Sequence, residues 1–176
     1  TPRQLIALSR ISRHMEPLDA MTDSDRQIAF ADRAWQGTVT IAQNVPIARD
    51  TYRLRLDCPE IAARVLPGQF VMLRLAGTND PLLGRPLALY DTVPGPDGAP
   101  AGIEIVYRVV GRMTGRLAGL QAGCALEVWG PLGNGFAPAE TAHLVMVAGD
   151  IGQTPFLALA REYLGLGTYG EPRRQV

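Results

Sequence analysis

Between residues 37 and 131 the chain is a succession of short runs in which apolar and polar residues alternate, each bounded by glycine or proline. Alternation with period two is the pattern of a strand with one face buried and the other wet. The run at 50–57 (Asp-Thr-Tyr-Arg-Leu-Arg-Leu-Asp) shows it cleanly, and 37–45 is rich in β-branched residues. Pro67-Gly68 makes a turn before a third run at 69–75. Segments 85–90, 102–110 and 125–131 give three more, with a Gly/Pro loop at 94–100. Thr114 is the expected N-cap of one short helix reaching about Leu120, its hydroxyl serving the first free amides. Six short strands at hairpin spacing with one helix predict a mostly β fold, a six-stranded antiparallel Greek-key barrel.

After Phe136 the pattern changes. His143-Leu144-Val145-Met146-Val147-Ala148 is continuously apolar, as in a strand buried on both faces. A glycine-rich turn follows, then a helix expected over 155–164 with proline in its first turn. This reads as the first β-turn-α of an α/β nucleotide-binding domain. The expected organisation is therefore an N-terminal extension at 1–34, expected to be mobile, a barrel at 35–137 and a truncated α/β domain at 138–176. Met21 is a plausible natural start, which makes 1–20 an addition of uncertain origin.

Charge narrows the function classes. Seventeen Lys+Arg balance seventeen Asp+Glu, which argues against broad binding to nucleic acid or to anionic membranes. No apolar run has membrane-spanning length and no signal-peptide core is present, so the chain reads as cytoplasmic. The two cysteines, Cys58 and Cys124, are neither a secreted framework nor a closely spaced metal pair. His14 and His143 stand alone, and no nucleophile–base pair or paired carboxylates stand out, so neither a catalytic side chain nor a metal site is expected.

Two strings carry the chemistry. Arg85-Pro86-Leu87-Ala88-Leu89-Tyr90 and Tyr107-Arg108-Val109-Val110-Gly111-Arg112-Met113-Thr114-Gly115 lie about twenty residues apart. A diphosphate is held by charge-assisted hydrogen bonds, and a guanidinium is a planar, permanently charged fork. Pro86 fixes the backbone beside Arg85. Gly111-Arg112-Met113-Thr114 would open helix amides to an anion. Taken singly, each string reads more simply: an edge-strand Arg-Pro, a plain capped helix, a core aromatic at Tyr107. Gly149-Asp150-Ile151-Gly152-Gln153-Thr154-Pro155, at a strand-to-helix junction, is a weaker nucleotide signal, shorter than the dinucleotide fingerprint.

The ordered set resembles the ferredoxin-reductase superfamily, and within it the electron-transfer subunit of the two-subunit dihydroorotate dehydrogenase. The motifs are Pro67-Gly68-Gln69-Phe70-Val71, Arg85-Pro86-Leu87-Ala88, Val106-Tyr107-Arg108, Gly111-Arg112-Met113-Thr114, Gly130-Pro131-Leu132-Gly133-Asn134-Gly135-Phe136 and the 149–155 turn. The resemblance implies FAD on the barrel, NAD on the following domain and, in full-length members, a [2Fe–2S] cluster held by a C-terminal cysteine group. It implies electron transfer between NAD and a dihydroorotate dehydrogenase catalytic subunit through FAD, in pyrimidine biosynthesis and in a heterotetramer. By position, Arg85, Pro86, Leu87 and Ala88 would contact flavin and pyrophosphate. Val106, Tyr107 and Arg108 would line the dinucleotide, and Met113 and Thr114 would present amides and a hydroxyl to phosphate. Gly149 and Gly152 would belong to the nicotinamide turn.

Two positions depart from the family pattern. Ala88 stands where Ser or Thr is usual, and Asp150 replaces a usual glycine, where a carboxylate repels phosphate and adds bulk. With the second domain incomplete, Asp150→Gly is expected to change little. The cysteine cluster is missing, and a flavin-dependent oxidoreductase subunit of this length is not expected to be competent alone. The alternatives are another NAD(P)H:flavin or hydrogenase-associated reductase of the superfamily, or a non-catalytic β-barrel binding module.

Overall fold

The computed structural model describes residues 34–136, 139–167 and 169–170. Apart from Ala34, the expected N-terminal extension lies outside the described residues. Seven strands form one antiparallel sheet: β1 (Trp35–Ala48), β2 (Thr51–Asp57), β3 (Phe70–Leu75), β4 (Arg85–Ala88), β5 (Asp91–Pro94), β6 (Pro100–Arg108) and β7 (Ala125–Leu132). Their spatial order is β4-β3-β7-β1-β2-β6-β5. The crossings from β3 to β7 and from β2 to β6 are what a Greek-key chain requires.

The period-two reading explains the core. Val39 and Ile41, Leu54 and Leu56, Val71 and Leu73, Ile103 and Ile105, Leu126 and Val128 all point to one side and are almost fully buried. Each such side chain contributes about 1.5–3 kcal/mol of transfer free energy. Arg53, Arg55 and Arg74 alternate with them on the wetter face. Gly102 allows β6 to lie close on β2, since a Cβ there would strike the Leu56 carbonyl oxygen. Gly68 turns the chain into β3 at φ +86, a conformation that side chains rarely adopt.

The sheet curls into an open barrel. The segment between β4 and β5 brings its two ends together: the Leu89 amide donates to the Gln69 carbonyl at 3.0 Å, and the Tyr90 amide donates to the Glu104 carbonyl at 2.8 Å. Six strands are expected and seven are found among the described residues. The addition is β5, four residues opened by an aspartate and closed by a proline, too short to show a period. A single-turn helix α1 (Pro59–Ala62), likewise unexpected from sequence, plugs one end of the barrel with Ile61 and Ala62.

Two local expectations are corrected. Helix α2 runs Arg112–Ala118 with Gly111, not Thr114, at its N-cap. Thr114 is the third helical residue and reaches back: its hydroxyl accepts from the amides of Val110 (3.0 Å) and Gly111 (3.2 Å). The 143–148 run is not a strand. It pairs with no described strand, and Val145 and Val147 are 82% and 86% exposed. A strand buried on both faces needs neighbours and covering helices, and the described residues place none beside it. The helix after it is present as α3 (Phe156–Tyr163), preceded by a 3-10 turn at Asp150–Gln153.

Helix α3 docks on the barrel through a polar cluster. Asp91 on β5 is 3% exposed. Its Oδ2 pairs with Arg161, its Oδ1 accepts from the Tyr169 hydroxyl at 2.8 Å, and the same oxygen accepts from the Thr92 amide at 2.9 Å. Burial, then the adjacent Asp91 carboxylate, pushes the Tyr169 hydroxyl well above its ordinary value. The same carboxylate raises Arg161.

Candidate functional site

A cavity of about 640 Å³ opens between β4, the end of β6, the first turn of α2 and the 3-10 turn before α3. Arg85, Pro86, Leu87, Ala88, Val106, Tyr107, Arg108, Met113, Thr114 and Gly152 all line it. Gly149 does not. Residues as far apart in sequence as Arg85 and Gly152 therefore share one site, although only their order along the chain suggested it.

Three elements build it. In β4 the pairing of Arg85 with Leu73 and of Ala88 with Phe70 lays the Arg-Pro string along the cavity edge. Strand β6 ends at Arg108, so Val106 and Arg108 fall at the rim. Helix α2 is held over the site from behind by Asn44 on β1. Its Nδ2 donates to the carbonyls of Leu117 (2.8 Å) and Leu120 (2.9 Å), and its Oδ1 accepts from the Tyr107 hydroxyl (3.1 Å). The Leu117 carbonyl also accepts from the Leu120 amide at 3.0 Å, whereas the Leu120 carbonyl, in the turn after α2, has Asn44 as its partner. The Tyr107 ring stacks on Tyr52, centroids 5.6 Å apart. Burial, only partly offset by the bond to Asn44, pushes the Tyr107 hydroxyl up to about 12. Tyr107 is thus 1% exposed with its hydroxyl occupied, and it offers a ligand wall and backbone rather than a polar tip.

Charge at the cavity is uneven. Arg112 pairs with Asp80 at 2.6 Å, and Asp80 also takes Arg116 at 3.0 Å. Arg108 pairs with Asp150 at 2.8 Å. Arg85 donates only to the carbonyls of Leu83 (3.3 Å) and Gly84 (3.1 Å), and no acidic partner faces it among the described residues. It is the cavity arginine whose charge is uncompensated. The apolar lining comes from Leu87, Val106, Met113 and Ile151. A flat apolar ring and an anionic tail suit such a cavity. Thr114 has already spent its hydroxyl on Val110 and Gly111, so the amides left in the first turn of α2 are those of the helix itself.

Asn44, Asp80, Arg112, Ile151 and Thr154 belong to the site or its frame but were not singled out as candidates. Nothing in a strand pattern distinguishes Asn44, because its partners lie 63 to 76 residues away. Asp80 sits in a loop that only the fold brings to α2. Arg112, Ile151 and Thr154 lay inside recognised strings and were the legible omissions.

The described residues do not fit an iron–sulfur cluster. No group of three or more His, Cys, Asp or Glu side chains comes together among them. Cys58 is buried, and burial, partly offset by a backbone hydrogen bond, pushes its thiol up to about 11, away from the thiolate a metal needs.

No family model matches the chain. Curated relatives do. The chain is 40% identical over 128 residues to the electron transfer subunit of dihydroorotate dehydrogenase B (NAD(+)) of Geobacillus kaustophilus, covering 70% of this chain and 48% of that protein. It is 39% identical over 117 residues to the same subunit of Desulforamulus reducens, and 34% over 139 residues to that of Shouchella clausii. The chain spans about half the length of these relatives: 43% of the Desulforamulus subunit and 52% of the Shouchella one. Among solved structures, the fold matches a ferredoxin reductase in carbazole 1,9a-dioxygenase with TM-score 0.66 at 20% identity, over 80% of this chain and 43% of that one. It matches the Amycolatopsis cytochrome P450 reductase GcoB with TM-score 0.59 at 27% identity, over 76% of this chain and 40% of that one. In fold the chain is a ferredoxin-reductase-like β domain, and in sequence it is a relative of the electron transfer subunits of dihydroorotate dehydrogenase B.

Proposed function

We propose that this chain is the flavin-binding part of an electron-transfer subunit, with FAD in the 640 Å³ cavity, that passes electrons between NAD and a dihydroorotate dehydrogenase catalytic subunit in pyrimidine biosynthesis. The observation that carries the reading is Arg85: an uncompensated guanidinium on the rim of a cavity whose other two arginines, Arg108 and Arg112, are paired with acids, in a chain whose relatives are electron transfer subunits. When bound, the flavin supplies the redox chemistry. Arg85 holds the pyrophosphate, Leu87 and Val106 pack on the ring system, and the backbone of Ala88 takes the place of a side-chain hydroxyl beside the ring. Met113 closes the apolar wall. The fold boundary of the barrel falls near 137, and the turn from Gly149 through Gly152 begins the NAD side. A heterotetramer with the catalytic subunit follows the same reading. Among the described residues no helix is long and apolar enough to cross a membrane.

The GcoB match, the more identical of the two structures above, also suits another reductase of the superfamily. The site chemistry is the same under both readings, and only the electron acceptor differs. The first test is a visible spectrum of the purified chain with the released cofactor identified and counted. About one FAD per chain, absorbing without an iron–sulfur contribution, is the expected result. Arg85→Ala is expected to weaken FAD by about 1.5–3 kcal/mol, the scale of a charged hydrogen bond. A colourless chain that ignores added FAD overturns the flavin assignment. Unchanged affinity in Arg85→Ala removes Arg85 from it.

A further inference from the structure

Asp150 is one of two non-glycine residues with positive φ among the described residues, at φ 50. Glycine takes that backbone freely, whereas a side chain there is strained, aspartate less than most. From this position the carboxylate crosses to the end of β6, where Arg108 Nη1 donates to Oδ1 at 3.1 Å and Oδ2 at 2.8 Å. The pair stands at a seam. Both residues line the 640 Å³ cavity, and both line a neighbouring cavity of about 700 Å³ bounded by Tyr90, Gln153 and Phe156.

We propose that Asp150 is an internal counter-anion for Arg108: the closed pair divides the two cavities, and a pyrophosphate-bearing dinucleotide takes over the whole guanidinium of Arg108 only by displacing the carboxylate. This rests on the reading of the first cavity as a flavin site. Three observations carry it. The carboxylate holds Nη1 of the guanidinium, and a second anion on the same guanidinium meets its repulsion. The pair is openable, since Arg108 is 47% and Asp150 73% exposed in their side chains, and exposed pairs hold weakly. Both bonds leave from one nitrogen, Nη1, and Arg108 Nε and Nη2 make none among the described residues. A phosphate can therefore engage the free edge while the carboxylate still holds, then take its place. Asp150 thus tunes affinity for the anionic part of the ligand. On this proposal Asp150→Gly, expected from the incomplete second domain to change little, is instead expected to gain FAD binding.

The experiment is FAD titration by flavin fluorescence for the wild type, Asp150→Asn, Asp150→Gly and Arg85→Ala. Each is measured at low salt and at about 0.5 M salt, where the Debye length is only a few ångströms. Asp150→Asn is expected to bind FAD about 2–5-fold tighter at low salt, the scale of one freed exposed pair. The gain should shrink at high salt and vanish in an Arg108→Gln background. Asp150→Gly should gain at least as much, because it also relieves the left-handed backbone. A pair that serves only as a strut predicts the reverse: a lower melting temperature in Asp150→Asn with FAD affinity unchanged or weaker. Equal FAD affinity in the wild type and Asp150→Asn, with loss in Arg85→Ala, overturns the counter-anion and leaves the flavin site standing. Absence of FAD binding in the wild type and both Asp150 variants overturns the flavin site and this inference with it.

Discussion

Asn44 joins three elements with one amide: the Tyr107 hydroxyl on β6 and the carbonyls of Leu117 and Leu120 at the end of α2. Removing it leaves the Leu120 carbonyl and the Tyr107 hydroxyl to be satisfied elsewhere, since the Leu117 carbonyl keeps the Leu120 amide, and the cost of an unmet buried group exceeds the net value of the bond that met it. Asn44→Ala is expected to cost about 2–3 kcal/mol in urea unfolding, against about 1 kcal/mol for Tyr107→Phe, which deletes one partner cleanly. Equal costs would mean that Asn44 is not the clamp over the cavity. Burial also gives the chain an alkaline limit. Cys58, ordinarily near 9.0, stands at about 11, and Tyr107, ordinarily near 10.0, stands at about 12. Both stay protonated in the folded chain at pH values where the unfolded chain has released its protons. Their contribution to stability is therefore whole below pH 9 and is lost progressively as the pH rises through 9 to 12. Thermal melting should fall across that window, and a Cys58→Ser variant should begin its fall about one pH unit later, where tyrosine rather than thiol titration starts. A flat profile from 9 to 11 would contradict the buried thiol.

At the scale of elements, Thr114 shows how a motif can be legible while its mechanism is not. Gly111-Arg112-Met113-Thr114 marks a helix start from sequence, yet the threonine works from the third helical position, collecting the amides of Val110 and Gly111. Thr114→Val keeps the shape and deletes the acceptor. It should cost about 1–2 kcal/mol, the scale of a lost cap, and speed amide exchange of Val110 and Gly111 before that of the β6 core. Strands β1, β2, β3 and β7 were legible because one face of each is the more buried, so composition alternates along the chain, and β6, buried on both faces from Gly102 to Tyr107, was legible by its β-branched and apolar run. Strand β5 and helix α1 were not: four residues carry no period, and neither has the Arg-Pro-Leu-Ala string that marked the equally short β4. The 143–148 run failed for a different reason. Its apolar composition is that of a doubly buried strand, but composition reports what a segment can bury against, and among the described residues nothing covers Val145 or Val147. The candidate site was legible in its arginine strings and illegible in the acids that neutralise them. Asp80 and Asp150 lie 32 and 42 residues from Arg112 and Arg108, and only the fold closes those distances.

Across the whole molecule, the cavity has a rigid wall and a hung one. Strands β4 and β6 supply the rigid wall from within the sheet. The other wall, with Asp150, Ile151 and Thr154, leads directly into α3, and α3 is anchored to β5 by Arg161 and Asp91. Asp91 is buried whereas the Arg161 side chain is 45% exposed, so the partners are not equivalent. Removing the arginine strands a buried carboxylate that, among the described residues, keeps the Tyr169 hydroxyl and the Thr92 amide. Removing the charge of Asp91 instead leaves a solvated guanidinium, which costs less. Arg161→Ala is expected to destabilise the chain by about 1–3 kcal/mol, below the range for a fully buried pair because half of the arginine is in water. Asp91→Asn in that background should return part of the loss, since the stranded charge is gone. The consequence for the site is directional. Hydrogen exchange should quicken from 150 to 163 and stay unchanged in β3 and β6, and FAD affinity should fall less than in Arg85→Ala, which acts from the rigid wall. Uniform quickening across the sheet would mean that the Asp91 cluster supports the whole barrel, and the distinction between the two walls would fail.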